Sequence, residues 1–349
     1  MIGKKITDYT GQYKWRALLI ACLGSLVGVI NGSTLIIALP TMMVKLNTTL
    51  IGVMGVLIVY MVILTILSPA CGRFADMHGR KRIYLAGMAT FTIGSLLCAF
   101  SADLPQLLLF RVVQAIGGAI LVANGSIIVA DAFPRHELGR AMGVLSMIIA
   151  AAFVLGPILG GVLTMIDWRL NFLFNVPFGV AAVIAGWFWL KDVVPIKEVE
   201  RFDYLGMALF TVALVGLLGY VTVGFLVGFF SPMMLGILAF GSLGFVTFYN
   251  REKVFSHPLL DLSLFKIRTF TYGQFSNLLN AIARGAVMIL LILYFQGVRG
   301  YDPFWASILT APLAVGIVIS GPIGGSLSDR HGSRLISTGG LAISLIGLA

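Results

Sequence analysis

The sequence predicts an all-α integral membrane protein, and three of its features lead to that class. Of its 349 residues, 59% are apolar and only 11% are charged, whereas about a quarter of the residues in a soluble domain are charged. The apolar residues fall in runs of about 20, the length that spans the ~30 Å hydrocarbon core of a bilayer. The basic residues are concentrated in every second connection between these runs. We therefore expect a polytopic helical protein in a lipid bilayer.

Eleven apolar runs are predicted to span the membrane. In chain order they cover approximately residues 17–40, 49–70, 83–100, 104–130, 140–163, 171–190, 204–227, 233–249, 272–296, 304–324 and 335–349. The first run follows several basic residues, but its length of about 24 residues exceeds that of a signal peptide's apolar region. We interpret it as a retained first helix. The last run reaches Ala349 with no polar residue after it, so we expect that helix to be cut short.

The distribution of Lys and Arg predicts a cytoplasmic N-terminus. In that orientation, 19 of the 24 basic residues lie in cytoplasmic segments, three lie in outer loops and two, Arg111 and Arg284, lie within spans. This bias follows the positive-inside rule. It also accounts for the net charge of +10, so no nucleic-acid partner is expected. We expect a multi-pass protein of the cell membrane.

An internal repeat divides the chain into two homologous lobes. Residues 68–80 (SPACGRFADMHGR) align with residues 321–333 (GPIGGSLSDRHGS) at an offset of 253. Eight spans separate the two copies where six would complete a lobe, so two helices are inserted between pseudo-symmetric six-helix lobes. The predicted parts are a six-helix lobe at 1–190, two linker helices with cytoplasmic loops at 191–271, and three helices of an incomplete second lobe at 272–349.

The repeated loop, residues 72–82 in its first copy, is a candidate cytoplasmic gate. Its glycines allow a tight turn between helices, and Asp76 can accept hydrogen bonds from the N-terminal amides of a helix. Its Arg and Lys residues can pair with carboxylates across a lobe interface. The alternative is a basic loop that only sets topology, which would require neither Asp76 nor its repeat, Asp329. The candidate gate residues are Gly72, Asp76, Gly79, Arg80, Asp329 and Gly332.

Arg111 places a charge inside the fourth span, seven residues from its outer end. A charge at the centre of a spanning helix costs at least ~2.5–3.5 kcal/mol on insertion scales, so such a residue usually has a function and faces protein or water. Gln114 follows one turn later and extends the same polar face. The alternative for Arg111 is a structural clamp on backbone carbonyls.

The ninth span carries a second charge on a polar stripe. Gln274, Asn277, Asn280 and Arg284 are spaced by three, three and four residues and therefore share one helix face. The alternative for this stripe is polar contact between helices.

Depth in the membrane relates these positions to the first span. At ~1.5 Å per residue, Asn31, Arg111 and Arg284 all lie ~18–21 Å from the cytoplasmic edge. Asn31 and Arg284 are also equivalent positions of the repeat. We expect these residues to line one central cavity. The predicted substrate and proton pathway comprises Asn31, Arg111, Gln114, Asn277, Asn280 and Arg284.

The sequence contains no group of residues typical of an enzyme's active site. The four histidines lie on different cytoplasmic loops, and no glycine-rich loop with Lys-Ser/Thr is present to bind phosphate. The three cysteines lie in or beside apolar runs and predict no disulfide. We expect neither catalysis, nor a metal, nor a cofactor.

These motifs resemble those of the major facilitator superfamily. The loop at 72–82 resembles the family's signature loop, and residues 111–119 (RVVQAIGGA) resemble its fourth-helix motif, although Ala115 replaces the usual glycine. Residues 168–179 (WRLNFLFNVPFG) and 258–265 (PLLDLSLF), together with the two extra central helices, resemble the fourteen-span drug:proton antiporters. By this comparison about three C-terminal helices are missing.

The fifth span carries a further motif of this family. Residues 152–161 (AFVLGPILGG) resemble the fifth-helix motif associated with antiporters. Ala152, Gly156 and Gly160 recur every four residues, which lets another helix approach closely. A proline inside the helix removes a backbone donor and produces a kink. Ordinary packing of small residues is the alternative. The motif residues are Gly156, Pro157, Gly160 and Gly161.

The resemblance implies a secondary transporter that exports small amphipathic, drug-like molecules by proton antiport and alternating access. It implies a role in proton coupling for Arg111, with the proton gradient as energy source and no cofactor. The expected partners are the lipid bilayer, a small-molecule substrate and protons, and we expect a monomer.

One departure from the resemblance keeps other functions open. None of the 14 acidic residues lies mid-span, and Asn31 and Ser33 stand where the fourteen-span relatives usually have Asp and Thr. A protonatable carboxylate normally couples protons and attracts cationic drugs. A facilitator or anion-coupled carrier for anionic or neutral solutes is therefore an alternative, as is a transport-inactive fragment or sensor.

Overall fold

A computed structural model describes residues 11–192, 203–255, 260, 262–301 and 303–348, with only the backbone described at some helical positions, Arg284 among them. Every regular element in these residues is helical. The helices are α1 (Gly11–Lys45), α2 (Leu50–His78), α3 (Arg80–Ala99), α4 (Leu104–Ala132), α5 (Leu138–Ile166), α6 (Leu170–Leu173), α7 (Asn175–Trp189), α8 (Tyr204–Val227), α9 (Pro232–Val254), α10 (Arg268–Leu293), α11 (Pro303–His331) and α12 (Ser333–Leu348). A 3₁₀ turn at Leu262–Lys266 precedes α10, and a π-helical turn at Tyr294–Val298 follows it.

All eleven predicted spans coincide with helices, since α6 and α7 together occupy the sixth. Within the described residues, eight stretches are long and apolar enough to cross a membrane. They lie in α1 to α5, in α6–α7 taken together, and in α8 and α9. The helices extend several residues beyond the apolar runs, because polar residues at a helix end can remain helical in the interfacial region.

Helices α1 to α7 pack around a common interior. The core at one end of the bundle is built on Tyr84, Met88 and Phe91, and a second core contains Leu35 and Trp168. The backbones of α3 and α4 approach so closely that a Cβ on Gly94 would lie 2.6 Å from the backbone nitrogen of Gln114. Small residues at such crossings permit the close helix contacts found in membrane interiors. This packing fixes the positions of the polar side chains on α1, α3 and α4.

Helices α8 and α9, which lie within the predicted linker region 191–271, form a hairpin. Their backbones touch at Gly216 and Gly241, where a Cβ on Gly241 would lie 2.9 Å from the Cα of Gly216. Asp203 and Arg251 close the open end of the hairpin with an ion pair of 2.9 Å. The hairpin contacts α2, whereas α11 packs on α5, and both α10 and α12 pack on α11. The division of the chain into lobes and linker stays a prediction.

The two copies of the repeat share their backbone geometry. Gly79 between α2 and α3, and Gly332 between α11 and α12, have φ angles of 94° and 86°. In each copy the glycine N–H donates to the carbonyl oxygen four residues earlier, Ala75 or Ser328. Residues other than glycine rarely adopt this positive φ. The junctions that the sequence pairs are therefore alike in structure.

Candidate functional site

Arg111 lies in the interior of the α1–α7 bundle with no exposed surface. Its Nε donates to the carbonyl oxygen of Val56 on α2 at 3.0 Å, and its Nη1 donates to Oε1 of Gln114 at 2.6 Å. The guanidinium also lies over the ring of Tyr60, 4.3 Å from the ring centroid. Such contacts partly replace the hydration that a cation loses on burial. Among the described residues no carboxylate pairs with Arg111.

Asn31 on α1 connects Arg111 and Gln114 on α4 to Asn175 on α7. Its Oδ1 accepts hydrogen bonds from Arg111 Nη1 at 3.4 Å, Gln114 Nε2 at 3.1 Å and Asn175 Nδ2 at 3.4 Å. Gln114 Nε2 donates a second bond, 2.6 Å long, to the hydroxyl of Ser95 on α3. We call Asn31, Ser95, Arg111, Gln114 and Asn175 the Arg111 cluster. Asn31 and Arg111 meet, as the estimate of their depth predicted.

The structure differs from the sequence prediction in one respect. We expected Asn31, Arg111 and Gln114 to line a cavity, but all three are completely enclosed by α1 to α4 and α7. Several of their polar atoms have no hydrogen-bond partner, namely Asn31 Nδ2 and Arg111 Nη2, together with Oδ1 of the neighbouring Asn175. Buried polar atoms of this kind normally bond to protein or water. The cluster therefore has unused hydrogen-bonding capacity.

The polar stripe on α10 lies apart from this cluster. Gln274 and Asn277 are exposed and Asn280 is half-buried, while α10 packs on α11 and not on α1 or α4. The side chain of Arg284 lies outside the described part of the chain. The structure thus joins Asn31, Arg111 and Gln114, and it does not bring Asn277 or Asn280 to them.

The first copy of the gate loop holds an arginine between two carboxylates. Arg80 Nε and Nη2 donate to Asp76 Oδ1 at 3.0 and 2.8 Å, and Nη1 donates to Asp131 Oδ2 at the end of α4. Gly72 lies on α2 one turn before Asp76. Sequence reasoning did not identify Asp131 as a partner, although a lone acid at the end of a span was visible. Asp76 thus bonds to a residue of the α1–α7 bundle.

The second copy of the loop makes a contact of another kind. Asp329 on α11 accepts hydrogen bonds from the backbone N–H groups of Gly139 and Arg140, each at 2.9 Å. These are N–H groups in the first turn of α5, whose partial positive charge favours a carboxylate. Ser333 occupies the position equivalent to Arg80. Asp329 therefore lacks the counterpart of the Asp76–Arg80 pair, and it caps α5 instead.

Glycines on two faces of α5 allow two helices to approach it. The antiporter-type motif faces α1, where a Cβ on Gly156 would meet the Ser33 hydroxyl and one on Gly160 would lie 2.6 Å from the Thr34 carbonyl oxygen. Pro157 lies inside α5 between them. Gly161 faces open space, with no atom within 4 Å of an added Cβ.

The second face of α5 packs on α11. A Cβ on Gly143 would lie 2.6 Å from the carbonyl oxygen of Gly321, and a Cβ on Gly325 would meet the carbonyl oxygen of Gly139. Sequence reasoning missed this contact, although both helices carry two glycines four residues apart, a spacing typical of close helix pairs. Together with Asp329, these glycines bring α11 onto α5 at the end of the bundle where α5 begins.

Comparison with known proteins places this architecture in a family. The sequence profile described as Major Facilitator Superfamily matches residues 21–349. The chain belongs to the major facilitator superfamily. As a member of this superfamily it is a multi-pass membrane transporter of small molecules and not an enzyme.

Two superfamily relatives and one solved structure resemble the chain closely. It is 33% identical to the riboflavin transporter RibZ of Clostridioides difficile, over 97% of this chain and 74% of RibZ. It is 29% identical to the putative multidrug resistance protein MdtD of Pectobacterium atrosepticum, over 93% of this chain and 69% of that protein. The structure of the proton:xylose symporter XylE matches 92% of this chain and 70% of XylE, with a TM-score of 0.61 and 14% identity. The last likeness concerns the fold alone.

Proposed function

We propose that this transporter exports small amphipathic molecules in exchange for protons, with alternating access between its two lobes. The observation that carries the proposal is the Arg111 cluster, a buried charge held by neutral groups inside a spanning helix bundle. Ionisable residues at such depth are costly and usually belong to substrate or ion pathways. The similarity to MdtD and the motif at Gly156–Gly161 support export by antiport.

The contact between α5 and α11 supports alternating access. It joins helices on either side of the predicted lobe boundary, and its glycine and Asp329 contacts lie at the end of the bundle where α5 begins. Because backbones touch through glycines and one carboxylate caps the helix end, the contact can form and break as a unit with little side-chain rearrangement. Opening of this end would release two charge-assisted hydrogen bonds from Asp329, each contributing about 1.5–3 kcal/mol.

Arg111→Lys tests the proposal directly. Lysine retains the charge but cannot reproduce the planar donor fork that contacts Val56, Gln114 and Asn31. We expect proton-coupled transport in liposomes to fall about tenfold or more, measured as substrate-driven proton flux with an internal pH-sensitive dye. Arg135→Lys is the matched control, since Arg135 is exposed in the α4–α5 loop, and it should transport normally.

Two results would contradict the proposal. Wild-type proton flux in Arg111→Lys would show that the Arg111 cluster does not take part in proton coupling. Substrate flux that is indifferent to an imposed proton gradient in the unmodified protein would indicate a facilitator. Thermal unfolding of both variants in detergent shows whether a loss of flux in Arg111→Lys comes from loss of the fold.

A second candidate function is transport of neutral or anionic solutes. It is favoured by the lack of a carboxylate partner for Arg111 among the described residues and by Asn31 at the centre of the cluster. An uncompensated cation in a low-dielectric interior repels cationic solutes and favours anions. The similarity to RibZ supports a solute other than a lipophilic cation.

A further inference from the structure

A cavity lies at the end of the bundle where α1 and α5 begin, about 24 Å along α1 from Asn31. It has a volume of about 310 Å³. Its lining residues are Lys14, Trp15, Phe133, Glu137, Arg140 and Ala141. We call it the Trp15 pocket. Its distance from Asn31 separates it from the Arg111 cluster.

The aromatic walls of the Trp15 pocket are fixed by packing. Trp15 and Phe133 meet edge to face with ring centroids 5.5 Å apart. The Arg140 guanidinium lies 6.0 Å from the centroid of the Trp15 ring, and Lys14 Nζ lies 5.8 Å from that of Phe133. Phe133 is buried against a core that includes Leu18 and Ala141. The pocket thus has aromatic walls with cations at its rim.

The charges of the pocket leave one basic group available. Lys14 forms an ion pair with Glu137, and the hydrogen bond from Lys14 lowers the pKa of the Glu137 carboxyl. The opposite charges of the two partners cancel each other. Arg140 remains, exposed and with five donors that suit phosphate geometry. The net charge of the lining is positive.

The surface beside the pocket carries exposed apolar side chains at the start of the first span, as a lipid-facing surface would. Trp15 is 45% exposed and Leu19, one turn further into the span, is 48% exposed. The span itself begins near Gly11, which places Trp15 at the depth of the headgroups, where tryptophan is enriched in membrane proteins. An acyl chain can therefore lie along Leu19 while its headgroup occupies the pocket.

We propose that the Trp15 pocket binds the headgroup of an anionic phospholipid, with Arg140 holding the phosphate and Trp15 packing against the glycerol and upper acyl chain. Basic residues near a membrane surface attract anionic lipids in this way. Arg140 also donates its backbone N–H to Asp329. The bound lipid thus contacts a residue that joins α5 to α11.

Native mass spectrometry of the purified protein, titrated with phosphatidylglycerol or with phosphatidylcholine of the same chains, tests this site. We expect preferential binding of phosphatidylglycerol and about a fivefold loss of its affinity in Arg140→Gln, the effect of one basic residue near the surface. The variant retains its backbone N–H and so retains the bond to Asp329. Arg135→Gln is the matched control, because Arg135 is also exposed near the start of α5 but does not line the pocket.

Several outcomes would overturn the proposal. Equal affinity for the two lipids would contradict the proposal. Equal losses of phosphatidylglycerol affinity in Arg140→Gln and Arg135→Gln would show that lipid binding depends on the general surface charge and not on this pocket. Displacement of phosphatidylglycerol by an equal concentration of glycerol 1-phosphate would show a site for small anions instead. If Arg140→Gln unfolds, Trp15→Leu carries the test, since it preserves the charges and should still weaken lipid binding severalfold.

Discussion

At the scale of single residues, Asn31 is the centre of the Arg111 cluster. One oxygen, Oδ1, accepts bonds from Arg111, Gln114 and Asn175, while Nδ2 has no partner. A carboxylate in its place keeps every acceptor contact, removes the unpaired donor and neutralises Arg111. The amide thus maintains the positive charge of the cluster.

Asn31→Asp should therefore change the charge preference of transport. A new negative charge ~10 Å from a bound cation contributes ~1.7 kcal/mol at an effective dielectric of ~20, which corresponds to more than tenfold in affinity. We expect export of a lipophilic cationic dye to rise about tenfold relative to a neutral substrate, measured as dye efflux from cells that express the protein.

Asn31→Ala serves as the control for this substitution. It removes the same amide without adding charge, so it should not raise export of the cation. An equal rise in both variants, or strong export of cations by the unmodified protein, would show that the charge of the Arg111 cluster does not select the solute.

Single residues also show what could be read from the sequence. The cost of burying a charge identified Arg111, and helix rise placed Asn31 at the same depth. Ser95 and Asn175 were not identified as their partners, because hydroxyl and amide side chains are common in spanning helices and only packing decides which of them meet. The enclosure of the cluster likewise depends on how tightly α3 and α4 cross.

At the scale of elements, α5 carries two glycine faces with different partners. Gly156 and Gly160 receive α1, while Gly139 and Gly143 receive α11. The family motif drew attention to the first face alone. Prediction of the contact at the second face would have required knowing which helix after the linker packs on α5. That pairing depends on the topology of the fold, and the spacing of residues within one helix does not determine it.

Gly143→Ala should weaken the contact between α5 and α11. Its Cβ would lie 2.6 Å from the carbonyl oxygen of Gly321, so the two backbones must separate. We expect spin labels at positions 136 and 330 to show a longer distance by pulsed electron paramagnetic resonance, and transport to fall severalfold.

Gly161→Ala is the matched control on the same helix, because a Cβ there meets no atom within 4 Å. It should leave both the label distance and transport unchanged. Unaltered label distances in Gly143→Ala, or equal effects of the two substitutions, would mean that the glycine contact does not hold this end of the bundle together.

At the scale of the whole molecule, three side-chain links join connections at one end of the bundle. Lys14 pairs with Glu137, Arg80 with Asp131, and Asp329 caps α5. These links join the start of α1 to the α2–α3, α4–α5 and α11–α12 connections. The alternating direction of the spans, together with the internal repeat, predicts that these segments lie at one end of the bundle. Which individual charges pair could be learned only from the three-dimensional structure.

Cysteine labelling tests the predicted orientation, with His136 and Lys253 inside and Lys45 and Phe230 outside. All four side chains are exposed, and 19 basic residues against three favour the inward assignment of the first two. In a background without Cys22, Cys71 and Cys98, an impermeant maleimide should label positions 45 and 230 in right-side-out vesicles and spare positions 136 and 253. Labelling of position 253 but not of position 230 would show that the α8–α9 hairpin has the opposite orientation in the membrane. It would also contradict the insertion of two helices between the lobes. Four spans separate 136 from 253, namely α5, α6–α7 taken together, α8 and α9. Both positions therefore lie on the same side of the membrane if each of these four spans crosses it.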